Sequence, residues 1–357
     1  MCADIGHLPT RDMRRIAFLN LDNLSTQWVA SYPSAAHSLE AREFREVAAT
    51  YFGVASPACA PLVGRPIPGT TTRRGATPLD AYGHVLASAP RMRGASFEIQ
   101  HDSLKWQLFN DAVCYGVKGE HEPYRIFANV IPVNSLTGRR SNIVPDFRLH
   151  LPDADGVPTP TLFDVKTIHE TVNTYPNAGM NEGQRCSAVQ RRADKVNPDY
   201  VRTAENIDRN AGWRGSADQG PVRQVLNYHG RVRGLAFGTW GEASREVHEL
   251  AAQLADIAAE RTWREIGAQS VKLARAHYKS ATLRTWGIAA VRHAARQKLH
   301  RLELMGMGGS PASASLGIGS RHHRRHARSS TAFDYTAGPE AGSWAREYRS
   351  FAGPSAT

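Results

Sequence analysis

The chain has 357 residues, with 44 Lys and Arg against 33 Asp and Glu, a formal net charge of +11, and 41% hydrophobic against 22% charged residues. That balance excludes disorder of the whole chain, and no apolar run approaches the roughly 18 residues of a membrane span. Residues 1–10 lack the basic and apolar regions of a signal peptide, and Cys2, Cys59, Cys114 and Cys186 form no C-x-x-C pair, so an intracellular chain with reduced thiols, not a secreted one, is expected.

In chain order, residues 1–95 read as a loop-rich and helical region. Phe44, Val47, Ala48 and Tyr51 predict a short helix over 44–52, and the prolines and glycines of 56–75 predict loop. Leu104, Leu108, Val113 and Val117, with Trp106, Phe109 and Ala112, predict a largely buried helix over 101–117, with Asp102 in its first turn. Three β-rich runs follow, at 124–133, 142–151 and 161–168, separated by turn-rich connectors. A polar helix is expected over 187–210, interrupted near Pro198, then a fourth strand over 231–240. Val247, Leu250, Leu254 and Ile257 mark a clear helix over 242–266, and a last helical region covers 271–304. Residues 306–357 read as a basic, disordered tail. The fold class is therefore α/β, a mixed α+β sheet, with a core over 96–242 and C-terminal helices over 243–305.

The charge is local. Between Val271 and Arg328 twelve Lys or Arg stand against the one acid Glu303, so this segment carries the whole excess. Such asymmetry points to a polyanion partner. Arg321, Arg324 and Arg325, in the RHHRRH run at 321–326, are expected to touch phosphates, and the same run reads as a nuclear address.

Chemistry concentrates on the second and third β-rich runs. Pro145-Asp146 lies in one and Asp164-Val165-Lys166 in the other. Both acids stand among large apolar residues, where an ionised carboxylate is costly unless paired or metal-bound. Antiparallel neighbours can bring the two side chains together, and Lys166, two residues on, shares the face of Asp164. Two oxygen ligands plus water suit Mg²⁺. Lys166 could then position or deprotonate an attacking water. The competing reading makes these three residues a surface charge ladder near turns. His84, His101 and Cys59 form a weaker zinc candidate, and His169-Glu170 and Trp240-Gly241-Glu242 weaker phosphate and base contacts.

The pattern resembles the PD-(D/E)XK nuclease superfamily, whose restriction-endonuclease-like core runs helix, three-strand meander, helix, strand. The segments QHDSLKWQL, IVPDFRL, LFDVKTIH, AVQRRADKVNPDYVRTA and GLAFGTWGEAS are more specifically similar to the nuclease-like domain associated with retroelement polyproteins. The resemblance implies Asp146, Asp164 and the Val165 carbonyl as metal ligands and Lys166 as the catalytic lysine. It adds an acid from the first helix, Asp102, with Glu98 behind it. Gln190, Arg191, Lys195 and Tyr200, on the following helix, would contact nucleic acid or orient the metal. In related elements a zinc-knuckle-like segment precedes the first helix; here Asp80-Ala-Tyr-Gly83-His84 matches its end, with Cys59 alone upstream as a thiolate. The expected function is Mg²⁺-dependent hydrolysis of DNA phosphodiesters, with Mn²⁺ as a possible substitute. The alternative is a catalytically inactive nucleic-acid-binding protein derived from that fold.

Overall fold

A computed structural model describes residues 24, 28–29, 37–52, 54–70, 75–83, 86, 98–131, 143–168, 187–213, 219–238 and 241–306. The elements are α1 (Ala41–Phe52), a 3₁₀ turn (Ala60–Leu62), α2 (Glu98–Cys114), β1 (Gly119–His121), α3 (Arg125–Ala128), β2 (Phe147–Pro152), β3 (Pro158–Thr167), α4 (Ser187–Asn210), α5 (Pro221–Tyr228), β4 (Arg233–Phe237), α6 (Arg245–Thr262) and α7 (Val271–Gly306). The four strands form one sheet in the order β1-β2-β3-β4, with the first two pairings antiparallel and β3–β4 parallel. It is a mixed α/β fold. No helix among the described residues is long and apolar enough to cross a membrane.

Alternation along the strands divides the core. Phe147, Leu149, Phe163, Val165, Leu235 and Phe237 pack on one face against Leu104 and Leu108 of α2, Leu250 and Leu254 of α6, and Trp286 of α7. Leu162 points the other way, toward Phe127 of α3, Val196 of α4 and Val222 and Leu226 of α5. The approach of α4 to β4 is close: a Cβ on Gly234 would stand 2.5 Å from the carbonyl oxygen of Ala193. Only a residue without a side chain fits there.

Two expectations need correction. Of the run 124–133, the described residues 124–131 form no strand, and 132–133 lie outside the described residues. Pro123 presets a helical φ, Arg125–Ala128 closes a single turn, and the amides of Val130 and Ile131 return to the Phe127 carbonyl. Ile126, Phe127, Val130 and Ile131 match a helical spacing as well as a strand run, and packing of Phe127 decides between them. The three residues of β1 take the strand's place. The helix over 187–210 is also continuous through Pro198. Val189 and Ala193 before the proline, and Ala204 and Ile207 after it, are all buried, so tertiary packing holds both halves in one helix.

In the N-terminal part, Val47 is buried but Phe44 is exposed, so the inward face of α1 is not the one its aromatic residues suggest. Glu43 and Glu46 face inward instead, paired with Arg296 and Lys298 of α7. Cys59, Ile67, Leu79 and Leu86 close over Leu302 and Met305, and the buried Arg301 donates to the Leu86 carbonyl at 2.6 Å. One long helix thus joins the N-terminal residues to the sheet.

Candidate active site

The sheet pairing explains why Asp146 and Asp164 meet. Asp146 sits at the bend leading into β2, not within a strand, and its amide donates to the Phe163 carbonyl at 2.9 Å. Past this point β2 has no backbone to offer β3. The carboxylate of Asp146 supplies the missing acceptor, taking the Val165 N–H on Oδ2 at 2.6 Å. Because a residue's N–H and C=O point to the same side of a strand, the Val165 carbonyl lies on that same edge.

Asp164 is 4% exposed. Lys166 Nζ stands 2.5 Å from its Oδ2, an ionic contact without hydrogen-bond direction. The hydroxyl of Tyr200, from α4, lies 3.0 Å from both Asp164 Oδ1 and the Val144 carbonyl and can give its one proton to either. Burial holds the Asp164 carboxyl above its usual range; Lys166 opposes the shift and the charge of Asp146 adds to it. Burial raises the Tyr200 hydroxyl too, with the two nearby carboxylates reinforcing it.

The first turns of α2 complete the cluster. His101 bridges Asp102 Oδ1 at 3.0 Å and Asp146 Oδ2 at 3.1 Å. Burial disfavours a charge on this ring, but its two carboxylate hydrogen bonds prevail and lift it to about 9. Lys105, 5% exposed, reaches Glu122 Oε1 at 2.6 Å, Asp102 Oδ1 at 3.4 Å and Asp146 Oδ1 at 4.0 Å. Asp102 is therefore engaged with His101 and Lys105, and the hydrogen bond from His101 leads in lowering its carboxyl. Glu122 has φ +46°, the one non-glycine positive φ among the described residues. That conformation costs about 1–2 kcal/mol for an L-residue. The amide of Glu122 donates to the Asp146 carbonyl at 2.8 Å, which ties the strained turn to the site.

Glu122 and Lys105 are the site residues that sequence reasoning missed. A lysine between the buried Leu104 and Leu108 was a usable signal, since a buried ammonium needs acidic partners. For Glu122 the signal comes from backbone conformation and not from residue type.

The remaining candidates fall elsewhere. Gln190 joins α4 to the start of α6, donating to Glu246 at 3.0 Å and accepting from the Arg245 amide at 2.9 Å. Arg191 and Lys195 are exposed on α4. Cys59 lies in the N-terminal apolar cluster, away from the carboxylates that hold His101. The side chain of Glu98 and residues His84, His169, Glu170, Trp240, Arg321, Arg324 and Arg325 lie outside the described residues, whereas Glu242 is buried. Among the described residues no group of three or more His, Cys, Asp or Glu is arranged as a metal cage. Comparison of the chain with protein-family models and with curated proteins finds no match in either, so function rests on the geometry of the site.

Proposed function

We propose that the chain is a metal-dependent nuclease with a restriction-endonuclease-like core that hydrolyses DNA phosphodiester bonds. The observation that carries this reading is the meeting of Asp146, Asp164 and Lys166 at one end of the β2–β3 pair, with Lys166 Nζ 2.5 Å from Asp164. The donor set suits a hard divalent ion. Asp164 Oδ2 is buried and met by Lys166 Nζ, and Asp146 Oδ1 has, among the described residues, only Lys105, at 4.0 Å. Asp146, Asp164 and the Val165 carbonyl would hold Mg²⁺ or Mn²⁺, with water filling the remaining positions. When bound, such an ion polarises a phosphate and lowers the pKa of a coordinated water.

The chain's own residues have separate tasks. The Val165 amide and His101 fix the Asp146 carboxylate, and Tyr200 fixes Asp164. Lys166 places a positive charge beside the reacting phosphate and can hold the attacking water. Asp164→Ala and Lys166→Ala should each lower Mg²⁺-dependent nicking of plasmid DNA by about 10²–10⁴-fold with the fold intact by circular dichroism. Nicking equal to the parent's would overturn the assignment.

One observation favours the second reading, a nucleic-acid-binding protein without hydrolysis. Lys166 rests on Asp164, while His101 and Lys105 flank Asp146, so the chain's own cations already balance both carboxylates. DNA retention with no cleavage in Mg²⁺ or Mn²⁺ would establish that alternative.

A further inference from the structure

Beside Asp146 the surface opens into a cavity of about 550 Å³ lined by Glu122, Tyr124, Val144, Pro145 and Asp146. We propose that this cavity binds a single unpaired nucleobase, with Tyr124 as its stacking face and Glu122 as acceptor for the amino group of cytosine or adenine. The inference rests on the nucleic-acid reading above and deepens it to a substrate class, a strand with an unpaired or extruded base at the site.

Four observations support it. The volume lies within the range of small-ligand pockets, with room for a base and its sugar. The Tyr124 ring lines the cavity and is 53% exposed, although its neighbour Arg125 already covers it with a guanidinium 5.9 Å from the ring centroid. A half-exposed aromatic ring, here flanked by a guanidinium, is the kind of surface that bases stack upon. The walls are apolar at Val144 and Pro145 and acidic at Glu122 and Asp146, which admits a neutral base and repels a phosphate. Lastly, the Glu122 turn is strained and yet fixed, because Lys105 grips Oε1 at 2.6 Å and the Asp146 carbonyl takes the amide. Strain held this firmly next to a site marks a position kept for function. Oε2 has no partner among the described residues, and the side chain is half exposed, so one carboxylate oxygen faces outward to receive a hydrogen bond.

The chemistry sets the preference. Cytosine N4 and adenine N6 are amino donors that a carboxylate accepts, whereas thymine has no amino group and offers only N3–H, flanked by two carbonyl oxygens that Glu122 would repel. A base within a duplex cannot reach the cavity without leaving its stack.

The experiment is equilibrium binding of short fluorescent homopolymers of cytosine, adenine or thymine deoxynucleotides, and of a blunt duplex, to the full chain in EDTA, where no metal-dependent cleavage occurs. The parent should bind the cytosine and adenine strands more tightly than the thymine strand and the duplex. Tyr124→Ala should weaken all three single strands by about tenfold, and Tyr124→Phe should restore them. Glu122→Gln should erase the preference against thymine. Failure of the parent to bind any strand, equal binding by Tyr124→Ala and the parent, or a thymine penalty that persists in Glu122→Gln would each overturn the proposal. A base preference that survives while no cleavage is seen in Mg²⁺ would leave the cavity assignment standing and remove the nuclease reading instead.

Discussion

At the site each side chain's partner matters more than its identity. Asp164 is buried between a tyrosine hydroxyl and an ammonium, and Asp146 between a main-chain amide and an imidazole. Of these groups Tyr200 is the one whose removal leaves charge and chain geometry in place. Tyr200→Phe deletes the hydroxyl shared by Asp164 and the Val144 carbonyl. By analogy with partners that orient metal ligands, it should weaken Mn²⁺ affinity by about 10–100-fold while leaving the melting temperature within a few degrees. Titration calorimetry of the two proteins checks this, and an unchanged isotherm would mean that Asp164 needs no orienting partner. The D-x-K triplet and Pro-Asp pair were legible in the sequence because acids stand out against large apolar neighbours, although Asp146 precedes β2 and does not lie within it. Lys105 left a signal in its place between Leu104 and Leu108, but Glu122 left none in its residue type, because what marks it is a contact across elements: an ammonium from α2 meeting a turn seventeen residues later.

At the scale of elements, two features invite measurement. Gly234→Ala pushes a methyl group into the Ala193 carbonyl, 2.5 Å away, so α4 must move off β4. Overpacking of that kind costs about 1–3 kcal/mol. Chemical denaturation should show the loss, and an unchanged midpoint would mean that α4 seats loosely. In α7, His293 is buried beside Arg292 and Arg296; burial first, then those two charges, depress its ring from 6.5 to about 3. The sign follows directly. Between those values the unfolded chain binds a proton that the folded chain refuses, so stability is full above pH 6.5 and falls as the pH drops toward 3. Lowering the pH from 7 to near 5 should cost about 2 kcal/mol through this residue. His293→Gln should remove that part of the pH dependence, and an identical pH profile would show that the ring is not the titrating group. Helix and strand periods located α2, α4, α6, α7 and the second to fourth strands. They failed where short segments fit both periods, as in α3, and where a helix of two turns begins at a proline after a loop, as in α5.

On the scale of the whole molecule the +11 charge takes on a different meaning. The basic helix that seemed free to hold a polyanion spends much of its charge inside the chain. Arg275 pairs with Asp256, Arg296 with Glu43 and Lys298 with Glu46, while Arg292 and Arg301 donate to the carbonyls of Ser38 and Leu86. These contacts clamp α6, α1 and Leu86 onto α7. Lys272 and Lys279 are exposed, and under the proposed function they are the residues of this helix left to meet phosphate. Trp286 of the same helix donates to Asp111 of α2 at 2.8 Å, so α7 also supports the helix that carries His101 and Lys105. The long helix is thus part of the scaffold that places the acidic site. The proposed function requires that Asp146 and Asp164 share one divalent ion. It is tested most directly by titrating the full chain with Mn²⁺ and following free ion by electron paramagnetic resonance. The parent should show one saturable site that Asp146→Asn and Asp164→Asn each abolish, both variants remaining folded. A binding isotherm unaltered by either substitution would contradict the claim.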